Sequence, residues 1–232
     1  MPERTASFSG DYFMGKGSNY ERGYEVIQRH IREFVFPLIK KHVEVREGMR
    51  VLDIGCAYGY LLSLFDNAMC ETYGIDISEY AIEQARRITR AKLYVCDADR
   101  GLPMFQDDFF DLIIMLHVIE HLRSPYNVLK EVYRVLKPRS TLIVSTPNLN
   151  AIARLLLKLI KRENEWHGFR DETHIYLFTP LSIRFLVERS GFKVLAVEAP
   201  LMPLRKAPRI INKIVNRFNL GGTVFVIAEK QG

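Results

Sequence analysis

The sequence predicts a doubly wound α/β fold: a mostly parallel sheet with helices on both faces. Three observations carry this. Short, nearly continuous apolar runs alternate with stretches of helical periodicity, as strands buried on both faces do. The run from Val51 ends in an acid and then alternates small residues, Asp53, Gly55, Ala57 and Gly59, as a tight turn does at the C-terminal end of a strand. The length, 232 residues with 48% hydrophobic content, suits one large domain.

The elements follow in order. Tyr20 to His42 reads as helical, kinked around Pro37, which lacks a backbone N–H. The first strand is Arg50 to Gly55 and the helix after its turn is Tyr60 to Asn67. Thr72 to Asp76 forms the second strand, and a helix from Ser78 to about Arg90 follows, with Ser78 as N-cap and Glu79 in the first turn. Lys92 to Cys96 and Phe110 to Leu116 are strands three and four. A helix from Pro125 to Leu136 stops before Pro138, and Thr141 to Ser145 is strand five. The helix Pro180 to Ser190 ends at Gly191, a natural C-cap. Lys193 to Glu198 and Gly222 to Ala228 close the sheet. Internal repeats and low-complexity segments are absent.

Ligands of such sheets bind outside the carboxyl ends of the strands, and polar residues gather there. Asp53 and Gly55 end strand one, Asp76 strand two, Asp97 strand three and His117 strand four. Any one of these acids alone reads as a helix cap or turn residue; the ordered set reads as a site. A dinucleotide site offers a helix N-terminus to an anionic pyrophosphate. A carboxylate before the turn favours a cationic ligand, which points to the sulfonium and amino group of S-adenosylmethionine rather than to NAD. The spacing after the acid is also not the dehydrogenase fingerprint. Asp76 can accept both hydroxyls of a ribose. Asp97 can accept an adenine amine, with Ile77 and Ala98 packed on the ring.

On these residues the chain resembles the class I S-adenosylmethionine-dependent methyltransferases, in the branch of quinone-biosynthesis and small-molecule enzymes. The matching segments are VLDIGCAYG (Val51 to Gly59), GIDIS (Gly74 to Ser78), CDAD (Cys96 to Asp99), FDLIIMLHVIEHL (Phe110 to Leu122), LKPRSTLIVSTPN (Leu136 to Asn148) and His174 to Val194. The family usually has glycine where this chain has Ala57. The resemblance implies a Rossmann-like seven-stranded sheet of order 3-2-1-4-5-7-6 with the last strand antiparallel. It also implies that the backbone around Asp53, Gly55, Cys56 and Gly59 holds the methionine part of the cofactor. Leu116 and His117 would lie beside the methyl group, Asp76 on the ribose, and Asp97 with Ala98 on the adenine.

Methyl transfer is an in-line displacement that mostly needs positioning, with a general base where the acceptor is a hydroxyl. Histidine suits that role. His117 and His174 are the expected base candidates; His121 reads as a structural tie of the strand-four loop and His167 as an exposed residue of a polar insertion. HVIEHL also resembles the EVIEHL signature of metal-dependent quinone O-methyltransferases and small-RNA 3′-end methyltransferases. That resemblance implies a cation at Glu120, His121 and His174, with His117 replacing a hard oxygen ligand and favouring a softer metal. The expectation adopted is a site without metal, in which Glu120 and His121 form a loop hydrogen-bond pair.

The whole of residues 1–232 is expected to be one methyltransferase domain, with an N-terminal lid over residues 1–45 and substrate insertions at about 148–174 and 200–220. In the first insertion, Arg154, Lys158 and Lys161 share a helix face beside Ile152, Leu155, Leu156, Leu159 and Ile160. The second carries Arg205, Lys206, Arg209, Lys213 and Arg217 with no acid. Helices 151–162 and 205–218 read as lid helices with a solvated basic face, or as a peripheral contact with anionic membranes. Nucleic acid fits less well, because aromatic stacking residues do not line these faces. With a net charge of +6, three scattered cysteines, no apolar run of 18 residues and no export signal, the expected location is the cytoplasm, with membrane association open. The expected acceptor is a small molecule, sugar or isoprenoid lipid. The alternatives are a non-catalytic cofactor-binding partner subunit and an RNA methyltransferase. Oligomeric state is not legible.

Overall fold

Seven strands pair into one sheet in the order β3-β2-β1-β4-β5-β7-β6 in a computed structural model of the chain, which describes residues 8–20, 23–200 and 217–232. The strands are β1 Arg50–Ile54, β2 Glu71–Asp76, β3 Lys92–Val95, β4 Phe110–Leu116, β5 Leu136–Pro147, β6 Phe192–Glu198 and β7 Thr223–Lys230. The first five are parallel; β7 runs antiparallel to both of its neighbours. This is the order that the resemblance implied, strand direction included.

Alternation along the strands divides the core between two faces. Leu52, Ile54, Ile75, Ile113 and Met115 pack on one side with Val128, Leu129, Val132 and Val135 of α6 (Pro125–Val135) and Ile183 and Val187 of α9 (Pro180–Arg189). Val51, Leu112, Ile114, Ile143 and Phe225 face the other side. There they meet Leu61 and Phe65 of α4 (Tyr60–Asn67) and Ile31, Val35, Leu38 and Ile39 of the N-terminal helices. Burying each such side chain contributes about 1.5–3 kcal/mol relative to exposure.

Several boundaries differ from the expectation. The N-terminal helix begins at Val26, not Tyr20: α2 Val26–His30 runs through a wider π turn, Ile31–Val35, into α3 Phe36–His42. That turn directly precedes Pro37, whose missing N–H breaks the regular ladder. The helix α5 is Glu79–Ala85, shorter than expected, with its N-cap as predicted: Ser78 Oγ accepts the Ala81 N–H at 3.2 Å. The strand β5 starts at Leu136 because Phe110 already pairs with Leu136 across a register shift, before regular pairing resumes at Thr141. Gly191 ends α9 with φ +104°.

The remaining helices, α1 Gly10–Phe13, α7 Ile152–Leu159 and α8 His167–Arg170, belong to the strap before β1 and the insertion after β5. Of the expected basic helix 205–218, all but Arg217 and Phe218 lies outside the described residues. Among the described residues, no helix is long and apolar enough to cross a membrane.

Candidate active site

The strand order creates a crevice at the C-terminal ends of β1 and β4, where the connections leave to opposite sides. The turn after β1 shapes its floor. Gly55 (φ +74°) and Cys56 both donate their N–H groups to the Ile75 carbonyl, at 2.8 and 3.0 Å. A Cβ on Gly55 would come 2.3 Å from Val118 Cγ2, so glycine is required there. Ala57 also sits in the left-handed region, at φ +46°, which explains the usual glycine at this position. Its N–H is held by Asp76 Oδ2 at 2.9 Å, while Asp76 Oδ1 accepts the Ser78 N–H at 2.8 Å. Gly59 has a different task from the one expected. At φ +74° it caps α4, its Cβ position faces Thr89 and Ala85, and it lines neither chamber described next.

Two chambers share a wall. The first is lined by Gly55, Ala57, Asp76, Ile77, Asp97, Ala98, Leu116 and His117 and roofed by Phe8, Tyr12, Phe13, Tyr20 and Tyr24. It thus gathers the residues expected around the adenosine. Asp97 also caps the turn after β3, accepting the Asp99 N–H at 3.1 Å. The second, larger chamber has an apolar lining of Ile27, Ile31, Val35, Leu61 and Phe225. Its polar lining is His30, His117, Ser145, His167, His174 and Thr223. Asp53 and Cys56 open on this second chamber, not on the first. Gly55, Leu116, His117, His121 and three tyrosines, Tyr12, Tyr20 and Tyr24, belong to both.

Electrostatics follow from burial. Burial raises Asp76 to a pKa of about 6, against the lowering effect of the N–H groups of Ser78, Ala57 and Ile77. Burial, then the nearby Asp76, pushes Asp53 well above the usual carboxylate range. A ligand bearing an amino group and a sulfonium relieves this crowding of acids. His167 is not the exposed residue expected; it lines the second chamber, and burial and the neighbouring histidines lower it to about 4.

His117 stands at the junction with φ +53°. Its Nδ1 is 3.1 Å from Glu120 Oε1 and its Nε2 is 3.4 Å from Thr223 Oγ1. Glu120 is fully buried; burial acts to raise it, but its bond to His117 and the three adjacent imidazoles prevail and hold it below the usual range. An ionised carboxylate only accepts, so Nδ1 carries a proton, and Nε2 faces the second chamber beside the Thr223 hydroxyl. His174 is more deeply set: its Nδ1 donates to the Gly168 carbonyl at 2.8 Å, and its Nε2 lies 4.0 Å from Glu120 Oε1.

The same group bears on a metal. Ligand atoms of Glu120, His121 and His174 all lie within 4.8 Å of one another, and Glu120 Oε2 is buried without a hydrogen-bond partner among the described residues. His121 and His174 each turn Nδ1 to a backbone carbonyl, of Thr173 at 3.2 Å and Gly168 at 2.8 Å, as histidines that ligate through Nε2 do. These residues fit a divalent cation. His117 lies outside this cluster.

A seven-stranded sheet of this order, with acids at its strand ends around a shared chamber, defines the class of S-adenosylmethionine-dependent methyltransferases. The family model described as "Methyltransferase domain" matches residues 27–197, and the chain belongs to this family. It is 30% identical over 126 residues to a ubiquinone biosynthesis O-methyltransferase of Idiomarina loihiensis, covering 51% of this chain and 50% of that protein. It is 32% identical over 126 residues to cycloartenol-C-24-methyltransferase 1 of Oryza sativa subsp. japonica, covering 52% of this chain and 35% of that protein. The matches thus span about half or less of those relatives' lengths. A solved S-adenosylmethionine-dependent methyltransferase from Archaeoglobus fulgidus shares the fold, with TM-score 0.65 at 23% identity over 94% of this chain and 96% of that one.

Proposed function

We propose that the protein transfers the methyl group of S-adenosylmethionine to a hydroxyl of a small, largely apolar molecule. The observation that carries this reading is the junction of the two chambers at His117, whose Nε2 faces the larger one while Glu120 holds its Nδ1. In this reading the first chamber holds the adenosine. The crevice at Gly55 and Asp53 takes the methionine part, and the methyl group points past Leu116 into the second chamber. Its aliphatic lining holds the apolar body of the acceptor, and His117 Nε2 takes the hydroxyl proton as the O–C bond forms and the C–S bond breaks. Glu120 then stabilises the imidazolium. Where a divalent cation is bound, Glu120, His121 and His174 would hold it, and it would supply Lewis-acid activation of the acceptor oxygen. The names of the two curated relatives, one a quinone-pathway and one a sterol enzyme, accord with an apolar acceptor.

Calorimetry with S-adenosylhomocysteine, followed by transfer of labelled methyl to a panel of phenolic, sugar and isoprenoid alcohols, tests the reading. Binding without turnover across the panel would favour a partner subunit. Absence of binding would reject the reading altogether. Affinity for S-adenosylhomocysteine is expected to fall with pH. The ribose hydroxyls would bind the ionised form of Asp76, whose pKa is about 6. At one pH unit below that value the competent fraction is about a tenth, so the apparent dissociation constant rises about tenfold. A flat profile between pH 5 and 8 would remove Asp76 from the ribose.

The membrane expectation finds support on α7. It has no buried residue, and Leu156, Leu159 and Ile160 are exposed beside Lys158 and Lys161. Such a helix suits an anionic interface. Flotation with phosphatidylglycerol vesicles is expected to retain the protein and to lose it in Lys158→Gln/Lys161→Gln; equal flotation of both would reject the contact.

A further inference from the structure

Asp171 sits where the two covers of the site meet. It lies in the insertion after β5, is buried, and reaches across 159 positions of sequence to the strap before β1. Tyr12 donates its hydroxyl to Asp171 Oδ2 at 3.1 Å. Asp171 Oδ1 accepts the Thr173 N–H at 3.1 Å and the Thr173 hydroxyl at 2.6 Å. Because a carboxylate only accepts, the hydroxyl proton of Thr173 points at Asp171, which leaves Thr173 Oγ1 at 2.9 Å to share the His121 Nδ1 proton with the Thr173 carbonyl at 3.2 Å. One carboxylate therefore holds an aromatic roof of the first chamber and, through Thr173, an imidazole on the wall that both chambers share. Other ties join the same segments. Glu172 donates its N–H to the Gly17 carbonyl at 3.3 Å, Asn19 Nδ2 donates to the His167 carbonyl at 2.9 Å, and the Phe8 ring meets His121 edge-on at 5.5 Å.

We propose that Asp171 is a positioning residue that latches the N-terminal strap over the cofactor chamber and sets the His121 ring in the same closure. The proposal rests on the methyl-transfer reading for the identity of the ligand. The strap cannot lift while Tyr12 stays on Asp171, and lifting it parts a buried hydroxyl from a carboxylate. That cost bears on release of the spent cofactor. The latch also makes the occupied cofactor chamber and the ordered acceptor wall one state.

The test is release of tritiated S-adenosylhomocysteine, chased with unlabelled ligand, from the full chain. Tyr12→Phe and Asp171→Ala are each expected to speed release by about tenfold. The double variant is expected to release no faster than the faster single one, because both remove the same bond. The His121 ring-proton resonance is expected to move in Asp171→Ala and in Thr173→Val and, because one closure joins the two walls, in Tyr12→Phe as well. Wild-type release in Tyr12→Phe, or effects that multiply in the double variant, would overturn the latch. Tyr12→Phe removes one oxygen, so it carries the test even if Asp171→Ala fails to fold. A wild-type chain that does not bind S-adenosylhomocysteine defeats the methyl-transfer reading, whereas binding with unchanged release defeats only the latch.

Discussion

Asp76→Ala is expected to lower the affinity for S-adenosylhomocysteine by roughly 10²–10⁴-fold, with the fold retained. Each oxygen of a carboxylate offers two acceptor positions. The N–H groups of Ala57 at 2.9 Å and Ser78 at 2.8 Å each take one, and the N–H of Ile77 also faces the carboxylate. The ribose hydroxyls would share the acceptor positions left on the chamber side. Hydrogen bonds to a charged group contribute roughly 1.5–3 kcal/mol each, and two of them give the stated range. The substitution has a second effect through the turn. Asp76 Oδ2 holds Ala57 at φ +46°, a conformation that costs alanine about 1 kcal/mol, so its loss also lets the floor of the crevice relax. Asp76→Asn separates the two. It keeps an oxygen for the Ala57 N–H but loses the charge, and it should fall between wild type and Asp76→Ala. Calorimetry at pH 8, above the pKa of about 6, is the measurement. An affinity within threefold of wild type in Asp76→Ala would remove the ribose from this carboxylate.

The cofactor half of this site was legible because its signals are local. Buried parallel strands write themselves as apolar runs, and a turn that must admit a ligand writes itself as small residues behind an acid. Asp76, Ile77, Asp97 and Ala98 accordingly fall on one chamber, as read. Gly59 carries the same signature for another reason: it packs on Thr89 and Ala85. Small size at a turn cannot by itself distinguish room for a ligand from room for a neighbouring helix. The acceptor half was poorly legible because its contacts are remote in sequence. Tyr12 meets Asp171 across 159 positions, and His117 meets Thr223 across 106. His30 and His167 reach the second chamber from the strap and the insertion, where local polarity reads as exposure. Glu120 was visible in its motif, yet its bond to His117, at i to i+3 on a short turn after β4, only the fold could decide.

Glu120→Ala is expected to reduce turnover by roughly 10²–10⁴-fold, the range for losing a positioned acid–base group, with affinity for S-adenosylhomocysteine within threefold of wild type. Glu120 lines neither chamber but supports the wall from behind, so its loss falls on chemistry rather than on cofactor binding. Without it the Nδ1 proton of His117 loses its acceptor at 3.1 Å, the ring is free to present the wrong tautomer, and the imidazolium formed during transfer lacks its counter-charge. The backbone does not depend on the side chain: the Glu120 carbonyl accepts the N–H groups of Ile175 at 2.8 Å and Tyr176 at 3.1 Å in any variant. Glu120→Gln sharpens the reading. An amide oxygen still accepts from Nδ1 but carries no charge, so a rate near wild type in Glu120→Gln would assign Glu120 to orientation alone. His117→Ala supplies the other arm. If the pair acts as one unit, adding His117→Ala to Glu120→Ala costs little more than either alone. The cation is separated by dialysis against EDTA. Activity that survives chelation assigns the loss in Glu120→Ala to the His117 base, whereas activity that vanishes and returns with a divalent ion assigns it to the cluster of Glu120, His121 and His174. Unchanged turnover in Glu120→Ala would exclude both and leave the reaction to positioning by the two chambers alone.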